Sequence, residues 1–297
     1  MKGYLPIFVA AALWGLIGAL SRGVLGEGVG ALELAFWRAA LAGGMFALHA
    51  GLTRQGVPRR RDVGIFALFS LVAVALFYSA YTLAVQAGGV SLASILLYSA
   101  PAFVALAAWP LFGETPTLRQ LGLLGVTLSG VVLVSRSGGA GVTVSGAALF
   151  WGLTAALSYS SYYLFGKWSL ARYTPVTIYA WVLPFGALGL LPFVTFSPKS
   201  PTVWLLLGLL ALVSTYAAYG LYYTGLKHVP ASRAVLVASV EPVVAAVSGA
   251  LLFGERLGVW GVVGGALVLA AAVGASLPTR AAKTPEPAAE RVRAGNG

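Results

Sequence analysis

Long apolar runs alternate with short polar breaks along almost the whole chain. Read as helices, the runs fall at approximately 4–21, 32–52, 64–86, 91–111, 118–136, 145–167, 174–195, 202–225, 230–253 and 258–277. A helix that crosses a bilayer needs about 20 mostly apolar residues, and each run is near that length. The runs are continuous rather than alternating, which excludes a transmembrane β-barrel. The breaks carry Gly, Pro and charge, as in TRQGVPRRRD from Thr53 to Asp62, SRSGGAG from Ser135 to Gly141 and SPKSP from Ser197 to Pro201. Only Lys2 precedes the first run as a charge, and no compelling cleavage pattern follows, so this run reads as a retained span. The stretch from Pro278 to Gly297 mixes Pro, Ala and charges of both signs and is expected to be a disordered tail.

Composition agrees with the pattern. Of 297 residues, 9 % are charged and 59 % hydrophobic, against about 25 % charged in soluble domains. A water-soluble fold is excluded, because so few charges cannot cover its surface. The chain has no cysteine, which removes disulfides, thiolate metal sites and cysteine nucleophiles. Asp62 is the sole aspartate, so an intramembrane aspartate pair is impossible. His49 and His228 lack the neighbours of a metal site, and there is neither a nucleophile elbow nor a phosphate-cradling loop with its Lys. An enzyme is therefore not expected, nor is a cofactor or a metal.

The net charge of +11 has a simpler source than nucleic acid. With the N-terminus inside, the inner side carries Lys2, Arg54, Arg59, Arg60, Arg61, Arg119, Lys167, Arg172, Lys227, Arg233, Arg280, Lys283, Arg291 and Arg293. The outer side carries only Arg22, Arg136, Lys199 and Arg256, and Arg38 remains within a span. The bias predicts a multi-pass protein of the cytoplasmic (inner) membrane with both termini cytoplasmic.

An internal repeat divides the chain. At an offset of 141 residues, Pro101 falls on Pro242, Leu111-Phe112-Gly113-Glu114 on Leu252-Phe253-Gly254-Glu255, and Tyr78 and Tyr81 on Tyr219 and Tyr222. With a slightly different shift, Leu13-Trp14-Gly15-Leu16 lies against Phe150-Trp151-Gly152-Leu153. The expected units are 1–137 and 138–277, five helices each, followed by the tail 278–297. An odd number of spans makes the second unit enter the membrane from the opposite side. The expected fold is thus an all-α membrane protein of ten helices in a five-plus-five inverted repeat, a symmetry found in secondary transporters.

Ionisable groups at bilayer depth mark functional candidates. Glu241, in the ninth run beside Pro242, reads either as a proton or amine site or as a structural carboxyl satisfied by a hydroxyl or by Arg38. Arg38 reads either as a binder of carboxylates or as a side chain snorkelling to outer headgroups. The aromatic candidates are Trp14, Tyr78, Tyr81, Tyr98, Trp151, Tyr219 and Tyr222, as walls for an amphipathic solute or as part of an interfacial belt. Helix six adds Tyr159, Tyr162 and Tyr163 beside serines. Glu114 and Glu255 read as caps for the helices that follow them, and Gly261 and Gly265 as close-packing positions.

The segments LWGL and FWGL, Arg38 in the second run, SAPAFVALAAWPLFGE from Ser99 to Glu114 and SVEPVVAAVSGALLFGE from Ser239 to Glu255 resemble the drug/metabolite transporter superfamily, in its ten-helix form with two EamA domains. The resemblance covers about residues 4–277. It implies a central cavity lined from both halves and the movement of small metabolites, often amino acid export. Carried onto this chain, it favours Trp14, Tyr78, Tyr81, Tyr98, Trp151, Tyr219, Tyr222 and Glu241 as cavity residues. The function expected is alternating-access export of amino acids or similar amphipathic metabolites, with proton coupling, by a protein whose ten helices suffice for a cavity within a monomer. Transport of other solutes, or an intramembrane activity on lipids, is the alternative.

Overall fold

In the computed structural model, residues 3–97, 99–100, 103, 118–135, 142–226, 228, 238, 241–256 and 258–276 are described. Their elements, in chain order, are α1 (Tyr4–Gly26), α2 (Ala31–Leu52), α3 (Arg60–Gly88), α4 (Val90–Leu97), α5 (Leu118–Ser135), α6 (Gly146–Ser169), α7 (Pro175–Phe193), α8 (Pro201–Leu226), α9 (Glu241–Phe253) and α10 (Val259–Ser276). Among the described residues there is no β-strand, and α1, α2, α3, α7 and α8 are each long and apolar enough to cross a membrane. Their outward surfaces are apolar: Leu5, Leu68 and Leu205 are exposed, as are Leu157 on α6 and Leu251 on α9. In water such a surface would be a liability; in a bilayer it is the required one.

Local sequence explains several boundaries. α7 and α8 start at Thr174-Pro175 and Ser200-Pro201, where proline takes the first helical position and the preceding hydroxyl accepts from the third. Thr177 N donates to Thr174 Oγ1 (3.2 Å), and Val203 N donates to Ser200 Oγ (3.2 Å). Pro192 lies in a 3-10 turn, Leu191–Phe193, that ends α7. α1 runs past the expected end at 21, so Arg22 lies within a helix rather than in a loop. Its charge is met there by Glu255, and the helix continues through it.

The packing has an internal exchange symmetry. α2 lies along α7, α5 along α10 and α4 along α9, each helix beside the one five places later. The remaining principal pairs swap under the same rule: α3 with α6 and α8 with α1, α4 with α6 and α9 with α1, α3 with α7 and α8 with α2. The α2–α7 crossing is close because Gly43 has no side chain. A Cβ there would sit 2.8 Å from Pro184 Cδ.

The loops gather on two faces. One, the near face, holds the start of α1 against the end of α8 at Gly3 and Gly225, and the α2–α3 loop against the α6–α7 loop. The opposite, far face joins Gly88 to Thr143, Glu33 to Ser197 and Arg22 to Glu255. Glu255 caps a helix of the other half as well as lying before the one expected. Val90 N, at the start of α4, donates to its Oε1 (3.0 Å). The chain turns after α9 so that the carboxylate reaches across the interface between the halves to Val90 and Arg22. The expected partner position, Glu114, lies outside the described residues, as does the tail beyond 276.

Candidate functional site

Arg38 is 1 % exposed, so its guanidinium is inside the bundle and does not snorkel. Nε donates to Thr215 Oγ1 on α8 (3.0 Å), and Cζ lies 3.9 Å from the centre of the Tyr78 ring on α3. A desolvated cation over an aromatic face gains about 2 kcal/mol or more, which offsets part of the cost of burying the charge. Nη2 of Arg38 and Oη of Tyr78 are buried with no hydrogen-bond partner among the described residues. So are the hydroxyls of Ser79, Ser158 and Ser214, which adjoin Tyr78, Tyr159 and Thr215 in the chain. Each orphaned group costs about 1–3 kcal/mol, and a charged donor more.

Two irregular segments place these groups. α3 is π-helical over Ser70–Leu76 and α8 over Leu212–Ala217, matching stretches of the two repeats. A π-bulge releases carbonyls from the helical ladder and often marks a functional site. Here side chains donate to two carbonyls in or beside these segments. Tyr162 Oη donates to Ala73 O (2.8 Å), and Thr215 Oγ1 donates to Leu210 O (3.1 Å). The Thr215 hydroxyl thus gives its proton to its own helix and offers a lone pair to Arg38.

The second half supplies a stack of phenols. Tyr179 and Tyr219 lie face to face at 4.4 Å with their planes 10° apart. Tyr219 Oη donates to Tyr162 Oη (3.2 Å), and Tyr179 Oη shares a hydrogen bond with Tyr223 Oη (2.9 Å). Trp14 closes the stack from α1, 5.6 Å from Tyr219 and 5.0 Å from Tyr222. Tyr81 is buried rather than interfacial, its Oη 3.0 Å from Ser94 Oγ on α4, and it stands within electrostatic reach of Arg38 and Glu241. Glu241 is 5 % exposed and opens the described part of α9. Its backbone carbonyl faces Gly15, where an added Cβ would lie 2.8 Å from that oxygen. The glycine after Trp14 therefore lets α1 and α9 meet at the level of the carboxyl group.

Of the expected residues, Arg38 and Tyr78 touch directly, Trp14, Tyr219 and Tyr222 form one cluster, and Tyr81 lies beside α4. Trp151 packs against the same core cluster that holds its repeat partner Trp14, its ring edge-on to Phe150 at 4.8 Å. Tyr98 lies outside the described residues. Thr215, Tyr179 and Tyr223 were not expected. Tyr223 had a signal in its neighbour Tyr222, whereas Thr215 and Tyr179 stand in apolar runs that single out neither.

A buried cation, aromatic walls from both halves and a buried carboxyl near the interface can hold a small solute by both its charged and apolar parts. Comparison with known proteins fixes the context. The EamA-like transporter family model matches residues 1–136 and again 146–277. The chain belongs to the EamA-like transporter family. Relatives of this transporter include an uncharacterized transporter of Archaeoglobus fulgidus, 30% identical over 269 residues that cover 90% of this chain and 94% of that one. A probable terminal-alkyne amino-acid exporter of Streptantibioticus cattleyicolor is 30% identical over 264 residues, 85% of each chain. The uncharacterized inner membrane transporter YicL of Salmonella typhimurium is 25% identical over 290 residues, 94% of this chain and 96% of its own. One solved crystal structure shares the fold with a TM-score of 0.67 at 18% identity, covering 96% of this chain and 99% of that one. The protein is therefore an integral, multi-pass membrane transporter of a small-molecule substrate.

Proposed function

We propose that this transporter exports amino acids or similar small amphipathic metabolites across the cytoplasmic membrane by alternating access. The two units, 1–137 and 138–277, rock against each other, both termini are cytoplasmic, and one chain suffices for the path. The near face is then the cytoplasmic side. The reading rests above all on Arg38, a buried guanidinium between the two halves with an N–H that no described residue pairs. A carboxylate completes such a group. Trp14, Tyr78, Tyr219 and Tyr222 cover the apolar body of the solute, with Tyr81, Tyr98 and Trp151 as further cavity residues. Glu241 meets the ammonium end or carries the coupling proton. The name of the Streptantibioticus relative points to the same substrate class.

Counterflow in liposomes with a panel of labelled amino acids tests the substrate class; the expected result is saturable exchange of at least one. Arg38→Gln removes a charge-assisted hydrogen bond, so exchange of that solute should fall by about 10-fold or more. If no amino acid is exchanged, the substrate class is wrong. For coupling, Glu241→Gln should abolish the response of flux to an imposed pH gradient while leaving exchange; an unchanged response removes Glu241 from the proton role.

A further inference from the structure

The second half contains a cavity at the outer end of the phenol stack, sharing Tyr223 with it. It encloses about 380 Å³ at the near face, between the α6–α7 loop and the end of α8, and is lined by Leu170, Tyr173, Thr174, Pro175, Tyr223 and Leu226. This size is at the low end of the ~300–1,000 Å³ usual for small-molecule sites. The side-chain hydroxyls of its wall are already engaged. Tyr173 Oη donates to Asp62 Oδ2 (2.5 Å) and accepts from Arg59 N (3.1 Å). Thr174 Oγ1 donates to Gln55 Oε1 (2.7 Å) and accepts from Thr177 N (3.2 Å). Tyr223 Oη is paired with Tyr179 Oη (2.9 Å). Most of what faces the space is apolar, from two aromatic rings, two leucines and a proline beside Thr174, a wall that gains about 25 cal/mol per Å² by covering apolar surface and offers no counter-charge to an ion.

The position matters as much as the lining. Tyr223 is the outermost ring of a string that continues through Tyr179 and Tyr219 to Tyr162, whose hydroxyl reaches the π-segment of α3 next to Tyr78. The cavity and the Arg38 centre are thus the two ends of one line of rings. We propose that the cavity is a second, peripheral binding site, a vestibule for the compact apolar side group of the solute, aryl or branched alkyl. The solute lodges there by its apolar part before its charged end meets Arg38. The order of events rests on the transport reading above; the ligand class rests on the wall itself.

The absence of cysteine gives a clean test. Leu226→Cys and Leu170→Cys each place a single thiol in the cavity wall, and Val57→Cys places one in an exposed near-face loop as a control. Alkylation of each full-length variant by a water-soluble maleimide is timed with and without N-acetyl-L-phenylalaninamide, with N-acetyl-L-alaninamide as the small-side-chain control. At about twice its dissociation constant, the phenylalanine compound should slow both cavity thiols about threefold. It should leave the Val57→Cys thiol unchanged, and the alanine compound should protect none. Equal rates with and without the phenylalanine compound at both cavity positions, or equal slowing at the control, overturns the proposal. Amino acid counterflow by the unmodified protein is measured alongside. Protection without flux sustains the vestibule and sinks amino acid export, whereas flux without protection does the reverse.

Discussion

On the far face, Glu33 and Glu255 are almost out of water, and each gathers donors from distant parts of the chain. Glu33 pairs with Lys199 and also accepts from Ser197 N (3.1 Å) and Ser197 Oγ (2.8 Å). The Lys199 ammonium is in turn boxed by Trp37 at 5.3 Å, Trp204 at 5.4 Å and Phe196 at 5.9 Å. Glu255 takes Arg22 from α1 and the backbone of Val90 from α4. On the near face, Asp62 bonds the neutral phenol of Tyr173, and its one cationic neighbour, Arg61, is 3.8 Å away with its side chain 71% exposed. The first arrangement sets charge against charge in a low dielectric, where separation is costly; in the second the carboxyl is also largely buried, but its cation stands in water, which screens the pair. The same near face holds the vestibule. Among the described residues, then, the far side is held by ion pairs within the bundle and the near side mainly by hydrogen bonds.

The comparison breaks most severely at Glu33. Glu33→Ala leaves the Lys199 ammonium, 4% exposed, without its counter-charge. Removing one partner of a buried pair costs about 3–5 kcal/mol, so thermal unfolding in detergent should shift far down. Adding Lys199→Ala should recover part of the loss, and a strictly additive double variant would show that the two are not coupled.

Glu255→Gln comes next. The amide oxygen still accepts from Val90 N, and Arg22, whose side chain is 33% exposed, regains water. A loss of about 1–3 kcal/mol is expected. The more telling readout is access: a Val29→Cys thiol, at a position 3 % exposed beside the far-face loop, should be alkylated faster in the Glu255→Gln background. An unchanged rate would show that the pair does not hold this face shut.

The smallest effect belongs to the near face. Tyr173→Phe removes one hydrogen bond to Asp62 and one acceptor for Arg59 N, worth about 1 kcal/mol in a part-exposed site. A loss as large as that of Glu33→Ala would erase the contrast between the faces.

Much of this molecule was legible in the sequence because membrane insertion writes its rules locally. Apolar length gives the spans, and two copies of LFGE expose the repeat. Arg38 and Glu241 stood out because charge is rare at such depth. Pairings across the bundle were less visible. Glu33 and Ser197 are 164 positions apart, and neither sits in a motif. Glu255 was legible as a capping carboxylate, but the helix it caps begins 165 positions away. The π-segments carry no proline or glycine, reading SLVAVAL and LVSTYA, so nothing in their composition distinguishes them from ordinary spans.

Those two segments also set the aim of the residues after them. One extra residue in a turn advances everything beyond it by about 100° around the helix axis and 1.5 Å along it. Tyr78 and Tyr219, each shortly after such a segment, therefore point where an unbroken α-helix of the same sequence would not point them. The orientation of the cation-bearing ring is thus a matter of counting: shortening Ser70–Leu76 by one residue would swing Tyr78 more than a quarter turn from Arg38, with every side chain of the centre still present.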